Sequence, residues 1–134
     1  MIIDSHAHIY PDKIAHKAAR SIGDFYDIDM SLDGTVDMLL KVGDEAGVDK
    51  FLVHSVATTP HQVRSINSFI ANSVSEHPDR FIGFATLHPD CGDEIPEIVD
   101  EAISLGLDGI KLHPDFQKFD IDSPEAMRMY EAHE

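Results

Sequence analysis

Two eight-residue stretches of this chain align on each other without a gap: Gly47-Val48-Asp49-Lys50-Phe51-Leu52-Val53-His54 and Gly106-Leu107-Asp108-Gly109-Ile110-Lys111-Leu112-His113. Each leaves a helical pattern through a glycine, runs as a short apolar strand and ends in a histidine. A chain that repeats this unit is committed to a βαβα order, which folds as a mostly parallel sheet covered by helices.

The rest of the sequence fits that order. Strands are expected at Ile2 to Ile9, Lys50 to Ala57, Arg80 to Leu87 and Gly109 to Leu112. Pro11 opens a first helix that Gly23 can close, and a polar and aromatic loop follows from Asp24 to Asp33. A second helix spans about Thr35 to Ala46, with Val36, Leu39 and Leu40 near one face and Gly47 just past its end. Thr59-Pro60 starts a third, whose stripe of Val63, Ile66, Phe69, Ile70 and Val74 is broken at His77-Pro78. Asp93 to Leu105 makes a fourth, closed by Gly106. Ser123-Pro124-Glu125 starts a last helix that runs to Glu134 without a stop signal, so the chain is expected to be cut inside it.

Composition narrows the chemistry. Twenty-five acidic residues against ten basic ones give a formal charge of −15, which repels a phosphate backbone, so polymeric nucleic acid is not expected as a partner. No apolar run approaches the roughly 18 residues a membrane span needs, and the N-terminus lacks a basic leader pattern; a cytoplasmic protein without membrane contact is expected. A single cysteine, Cys91, permits neither an intrachain disulfide nor a cysteine metal knuckle. Any metal must rest on His, Asp and Glu.

His6-Ala7-His8 is the sharpest local feature. Residues two apart on a strand point to the same face about 6.5 to 7 Å apart along it, so both imidazoles can converge on one ion. Chance in a His-rich chain is the competing explanation, but the pair closes a buried-looking Ile2-Ile3 run, where polar side chains are costly unless they bind something. Asp4 shares their face and suits a hydrogen-bonding or ligand-orienting role better than direct ligation.

Lys111 and His113 share one face of the fourth strand, with Ile110 and Leu112 turned toward the helices. Lys111 could be a substrate anchor, a catalytic cation or a carbamylated metal bridge, or it could form an interior ion pair with Asp4. His113, nearer the mouth, is the candidate catalytic residue through contact with substrate or metal; a capped loop histidine is the alternative. His54 and His88 end the second and third strands and are candidates for lining a substrate site, although such histidines also hydrogen-bond loop backbone. Parallel α/β folds put their chemistry at these strand ends. His16, His61, His77 and His133 fall in helices or at their ends and are expected on solvated faces. No nucleophile elbow, phosphate loop or dinucleotide fingerprint occurs.

Met1-Ile2-Ile3-Asp4-Ser5-His6-Ala7-His8, Phe81-Ile82-Gly83-Phe84-Ala85 and Gly109-Ile110-Lys111-Leu112-His113-Pro114 together resemble the first four strands of the amidohydrolase-related family of barrel hydrolases and decarboxylases. The resemblance spans essentially the whole chain. It implies the first four βα units of a (β/α)8 TIM barrel over residues 1–134, with a divalent metal, usually zinc, held by His6 and His8. It also implies a histidine after the fifth strand, another after the sixth and an aspartate after the eighth, none of which is present here. A full barrel takes about 250 residues. The partner implied is therefore the missing C-terminal half-barrel or a second copy of this chain, beside a small-molecule substrate.

The activity implied is hydrolysis of an amide, ester or lactone by metal-activated water. Decarboxylation within the same family is the nearest alternative. A TatD-type deoxyribonuclease also opens with His-x-His, but its fourth strand carries a glutamate ligand where this chain reads Lys111-Leu112-His113. A non-catalytic half-barrel that dimerises is the remaining alternative.

Overall fold

A computed structural model describes residues 1–133 of the chain. Four strands, β1 (Ile3–His8), β2 (Lys50–His54), β3 (Phe81–Thr86) and β4 (Gly109–Lys111), form one sheet in the order β1-β2-β3-β4. All three pairings are parallel. The crossovers carry α1 (Asp12–Tyr26) and α2 (Val36–Ala46), then α3 (Val63–Glu76), then α4 (Ile95–Ser104). After β4 come α5 (Pro114–Gln117) and α6 (Pro124–His133). The expected end of the last helix at Glu134, and the side chain of His133, lie outside the described residues. No helix among the described residues is long and apolar enough to cross a membrane.

The two-residue alternation of the strands decides which side is packed. Ala7, Ile9, Phe51, Val53, Phe81 and Ala85 face the helices and bury with Ile70, Ala71 and Leu107, while Val36, Leu39 and Leu40 of α2 pack against them. A second cluster joins Leu87, Ile95, Ile98 and Val99 to Ala126 and Met129, which seats α6 against α4. Ile110 and Leu112 pack into these apolar layers, as the alternation predicts. The opposite face carries His8, His54 and Lys111.

The structure departs from the expected elements at identifiable places. α1 runs past Gly23 to Tyr26 and stops at Asp27, which adopts the left-handed conformation with φ 54°. Gly23 instead permits close approach, since a Cβ there would lie 2.7 Å from the Ile28 carbonyl oxygen. The four strands are each shorter than their apolar runs, because the residues past His54, Thr86 and Lys111 turn into the site-bearing loops. A 3-10 segment over Pro89–Glu94, with Gly92 at φ 53°, precedes α4, which begins at Ile95 rather than Asp93. α5 was not expected; His113 caps it and Pro114 occupies its first turn.

The buried Ile2-Ile3 run is a correction of a different kind, since Ile2 is 57% and Ile3 48% exposed. β1 is an outer strand of this sheet, paired on one side only. Apolar sequence alone does not bury a residue at the edge of a sheet.

Candidate metal centre

β1 and β2 deliver the site. Their register pairs His8 with His54, so the ends of two adjacent strands bring their histidines to the same level. Between Asp4 and Ala7 the register shifts, the mark of a bulge, which re-aims side chains on the bulged strand. At that irregularity the His6 N–H donates to Asp4 Oδ1 at 3.0 Å. Asp4 thus serves the backbone of β1 rather than a histidine ring.

His6 Nε2 and His8 Nε2 lie 3.1 Å apart. Two nitrogens each about 2.0 to 2.1 Å from a tetrahedral ion would be about 3.3 to 3.4 Å apart, so the pair is already near its bite distance. The His54 ring sits edge-on to both, with centroids 4.7 Å from His6 and 4.6 Å from His8. One ligand atom from each of the three falls within 4.8 Å of the others. Sequence reasoning had put His54 on the substrate side; the fold brings it into the His6-His8 cluster.

The surroundings keep His8 and His54 neutral. Burial, aided by His6, Lys111 and His113, holds the His8 imidazole down at about 4. Burial again leads at His54, with His8, Lys111 and His6 adding to it, and holds that ring at about 3. Neutral imidazole is the ligating form. The Nδ1 atoms of His8 and His54 are buried without a hydrogen-bond partner among the described residues. With two Nε2 atoms 3.1 Å apart and the His54 ring beside them, the donor set is one that divalent transition ions accept; the residues fit a metal. Tyr10, which the sequence did not single out, stacks nearly parallel to His8 at 6.3 Å and shields it.

The other candidates stand outside the three-histidine cluster. Lys111 faces the same side and is near enough to depress both buried histidines, and burial holds its own ammonium below the usual lysine range. The interior ion pair with Asp4 is not formed; Lys111 has no salt bridge among the described residues. His113 accepts from the Phe116 N–H through Nδ1 at 3.3 Å, which leaves its proton on Nε2, 2.8 Å from Tyr26 Oη. Phe25, Tyr26 and Phe116 gather around it as an aromatic cluster. His88 is buried and accepts from the Asp90 N–H at 3.2 Å, capping the 3-10 segment outside the histidine cluster.

Gln117 is the residue that sequence reasoning missed. Its amide donates to the carbonyls of Ala57 and Leu87 and accepts from the His113 N–H, tying together the segments that follow β2, β3 and β4. A polar residue four past a strand-ending histidine is too common a pattern to have flagged it.

Comparison with known proteins bears on this arrangement. The amidohydrolase family model matches residues 3–134. No curated protein matches the sequence. Among solved structures, 5-carboxyvanillate decarboxylase LigW from Sphingomonas paucimobilis superposes with a TM-score of 0.74 at 19% identity, covering 98% of this chain and 48% of that one. A 5-carboxyvanillate decarboxylase from Novosphingobium aromaticivorans, complexed with manganese and 4-hydroxy-3-methoxy-5-nitrobenzoic acid, gives 0.73 at 18% identity, covering 98% and 47%. A probable 2-pyrone-4,6-dicarboxylic acid hydrolase from Acinetobacter baumannii gives 0.59 at 19% identity, covering 98% and 45%. At these identities the likeness is one of fold: the four βα units here correspond to the first units of a TIM barrel, and the chain spans about half the length of the structures it matches.

Proposed function

Because the chain belongs to the amidohydrolase family, we propose that it is the metal-binding half of a (β/α)8 enzyme acting on a small molecule, with His6 and His8 as metal ligands. The observation that carries this reading is the 3.1 Å approach of their Nε2 atoms at the C-terminal end of β1. When held by His6 and His8, a divalent metal would supply Lewis acidity toward a substrate oxygen and would lower the pKa of water toward neutrality. Imidazole donors suit zinc and its transition-metal neighbours, and zinc remains the first choice.

The chain's own residues do the rest. Burial, with Lys111 adding to it, keeps His8 and His54 unprotonated, so their lone pairs stay available at neutral pH. Lys111, on the same face and without a carboxylate partner among the described residues, anchors an anionic group of the substrate. His113 holds its proton on Nε2 and, through Tyr26, presents a hydroxyl near the mouth. His88 caps the loop after β3 and, at that strand end, remains a candidate for lining the substrate site.

The reaction first proposed is hydrolysis of an amide, ester or lactone. Decarboxylation of an unsaturated or aromatic acid is the second reading, favoured by the decarboxylases among the similar structures. The test has two stages. Elemental analysis of the purified chain should give about one transition metal, lost in the His6→Ala/His8→Ala double variant. Metal-loaded protein is then offered lactones, amides and hydroxybenzoic acids while acid release and carbon dioxide are both monitored. No metal in the wild-type chain overturns the reading, and carbon dioxide release in place of hydrolysis selects the second one.

A further inference from the structure

Beyond the pair on β1, we infer that His54 of β2 is a third ligand, so that this half of the barrel holds its metal through three imidazoles of its own. The inference rests on the metal reading above and sharpens it.

Four observations converge on His54. Its register partner is His8, which puts the two side chains at one level of adjacent strands. Its ring approaches both His6 and His8, and the three potential ligand atoms lie within 4.8 Å of one another. The residue is 2% exposed, yet its Nδ1 has no hydrogen-bond partner among the described residues. A polar side chain is rarely buried in that condition unless something else satisfies it. Finally, no side chain or loop amide among the described residues is hydrogen-bonded to this Nδ1, in contrast to His88 and His113, whose Nδ1 atoms accept from turn N–H groups.

The geometry closes with small movements. The widest ligand-atom separation exceeds a tetrahedral edge by about 1.4 Å at most. His6 is the exposed member of the three, and rotation about the χ2 of a histidine is soft, so His6 supplies the adjustment while His8 and His54 stay packed. Three neutral nitrogens then leave the full double charge of the metal at the site, with at least one coordination position for water or substrate. Such a donor set selects zinc, cobalt or a similar transition ion over magnesium or calcium, which demand oxygen.

The test uses cobalt(II), whose visible spectrum reports donor number and geometry. Wild type, His54→Gln, His54→Cys and His6→Ala/His8→Ala are titrated with cobalt(II), with circular dichroism on the same samples to compare folding. The expected result is one cobalt per wild-type chain, an affinity loss of about 100-fold or more in His54→Gln, and a new thiolate-to-cobalt charge-transfer band in His54→Cys. Cys91 is present in every sample, so wild type supplies the blank for that band. If His54→Gln binds cobalt as tightly as wild type with the same spectrum, while the double variant loses it, His54 is no ligand and the His6-His8 reading survives. If wild type binds no cobalt, both fail.

Discussion

Tyr26 Oη lies 2.8 Å from His113 Nε2, joining the end of α1 to the end of β4 across 87 positions of sequence. The pair is the closest polar link between the first and the last βα units described. Because it is largely solvent-exposed, Tyr26→Phe should lower stability by only about 0.5 to 1 kcal/mol, read from the midpoint of urea unfolding. Nitrogen NMR of His113 should still show the proton on Nε2, because the Phe116 N–H bonded to Nδ1 sets that tautomer. A switch to the Nδ1-H form in the variant would show that Tyr26, not Phe116, controls the ring.

Gln117 gives a sharper case. Its truncation to alanine strands the half-buried His113 N–H and the buried Ala57 carbonyl, and leaves the Leu87 carbonyl with only the longer bond from the Thr86 hydroxyl. Each unmade bond of this kind costs about 1 to 3 kcal/mol, so Gln117→Ala should destabilise the chain by about 2 to 5 kcal/mol after partial relaxation. Hydrogen exchange should speed up at the His113 amide before it does at Phe51 or Val53 in the centre of the sheet. Uniform acceleration would mean that Gln117 stabilises the whole fold rather than the site-bearing loops.

Gly43→Ala tests the packing behind the site. A Cβ at Gly43 would overlap the ring of Phe51, which is 2% exposed and lies on β2. Alanine would gain about 1 kcal/mol of helix propensity, whereas overpacking costs about 1 to 3 kcal/mol and here starts from direct overlap. The overlap should win, with a net loss of about 2 kcal/mol in chemical denaturation. A stabilised variant would show that Phe51 has room to move.

The buried histidines predict an acid limit for the metal-free chain. His8 and His54 have folded-state pKa values of about 4 and about 3, below the ordinary 6.5. The unfolded chain therefore takes up protons first as the pH falls. Their contribution to stability is complete above about pH 6.5 and declines from there toward pH 4 and below. With a chelator present, denaturation midpoints between pH 7.5 and 4.5 should fall, and His54→Phe should flatten that slope by removing one of the two groups. An unchanged slope in the variant would mean that His54 is not held neutral by the fold.

Most of the fold was legible because it is written in local periodicities. Short apolar runs marked all four strands, glycines at 47 and 106 ended helices with φ 72° and 77°, and Ser123 capped the last helix as its residue type suggests. The misreadings had specific physical causes. Gly23 looked like a helix stop but serves a close approach to Ile28, and Ile2 and Ile3 looked buried because hydrophobicity does not say which strand lies at the edge of a sheet.

The sequence by itself determined that this chain makes βα units, that His6 and His8 share a strand end, and that Lys111 faces away from the helices. Those properties depend on side-chain spacing along one element, which the chain carries in its own order. Tertiary structure alone decided that His54 stands beside His8, that β1 shifts its register after Asp4, and that Gln117 joins three segments. These depend on the stagger between strands, which arises only when twisted strands pack their helices together and is not encoded in the period of any one of them.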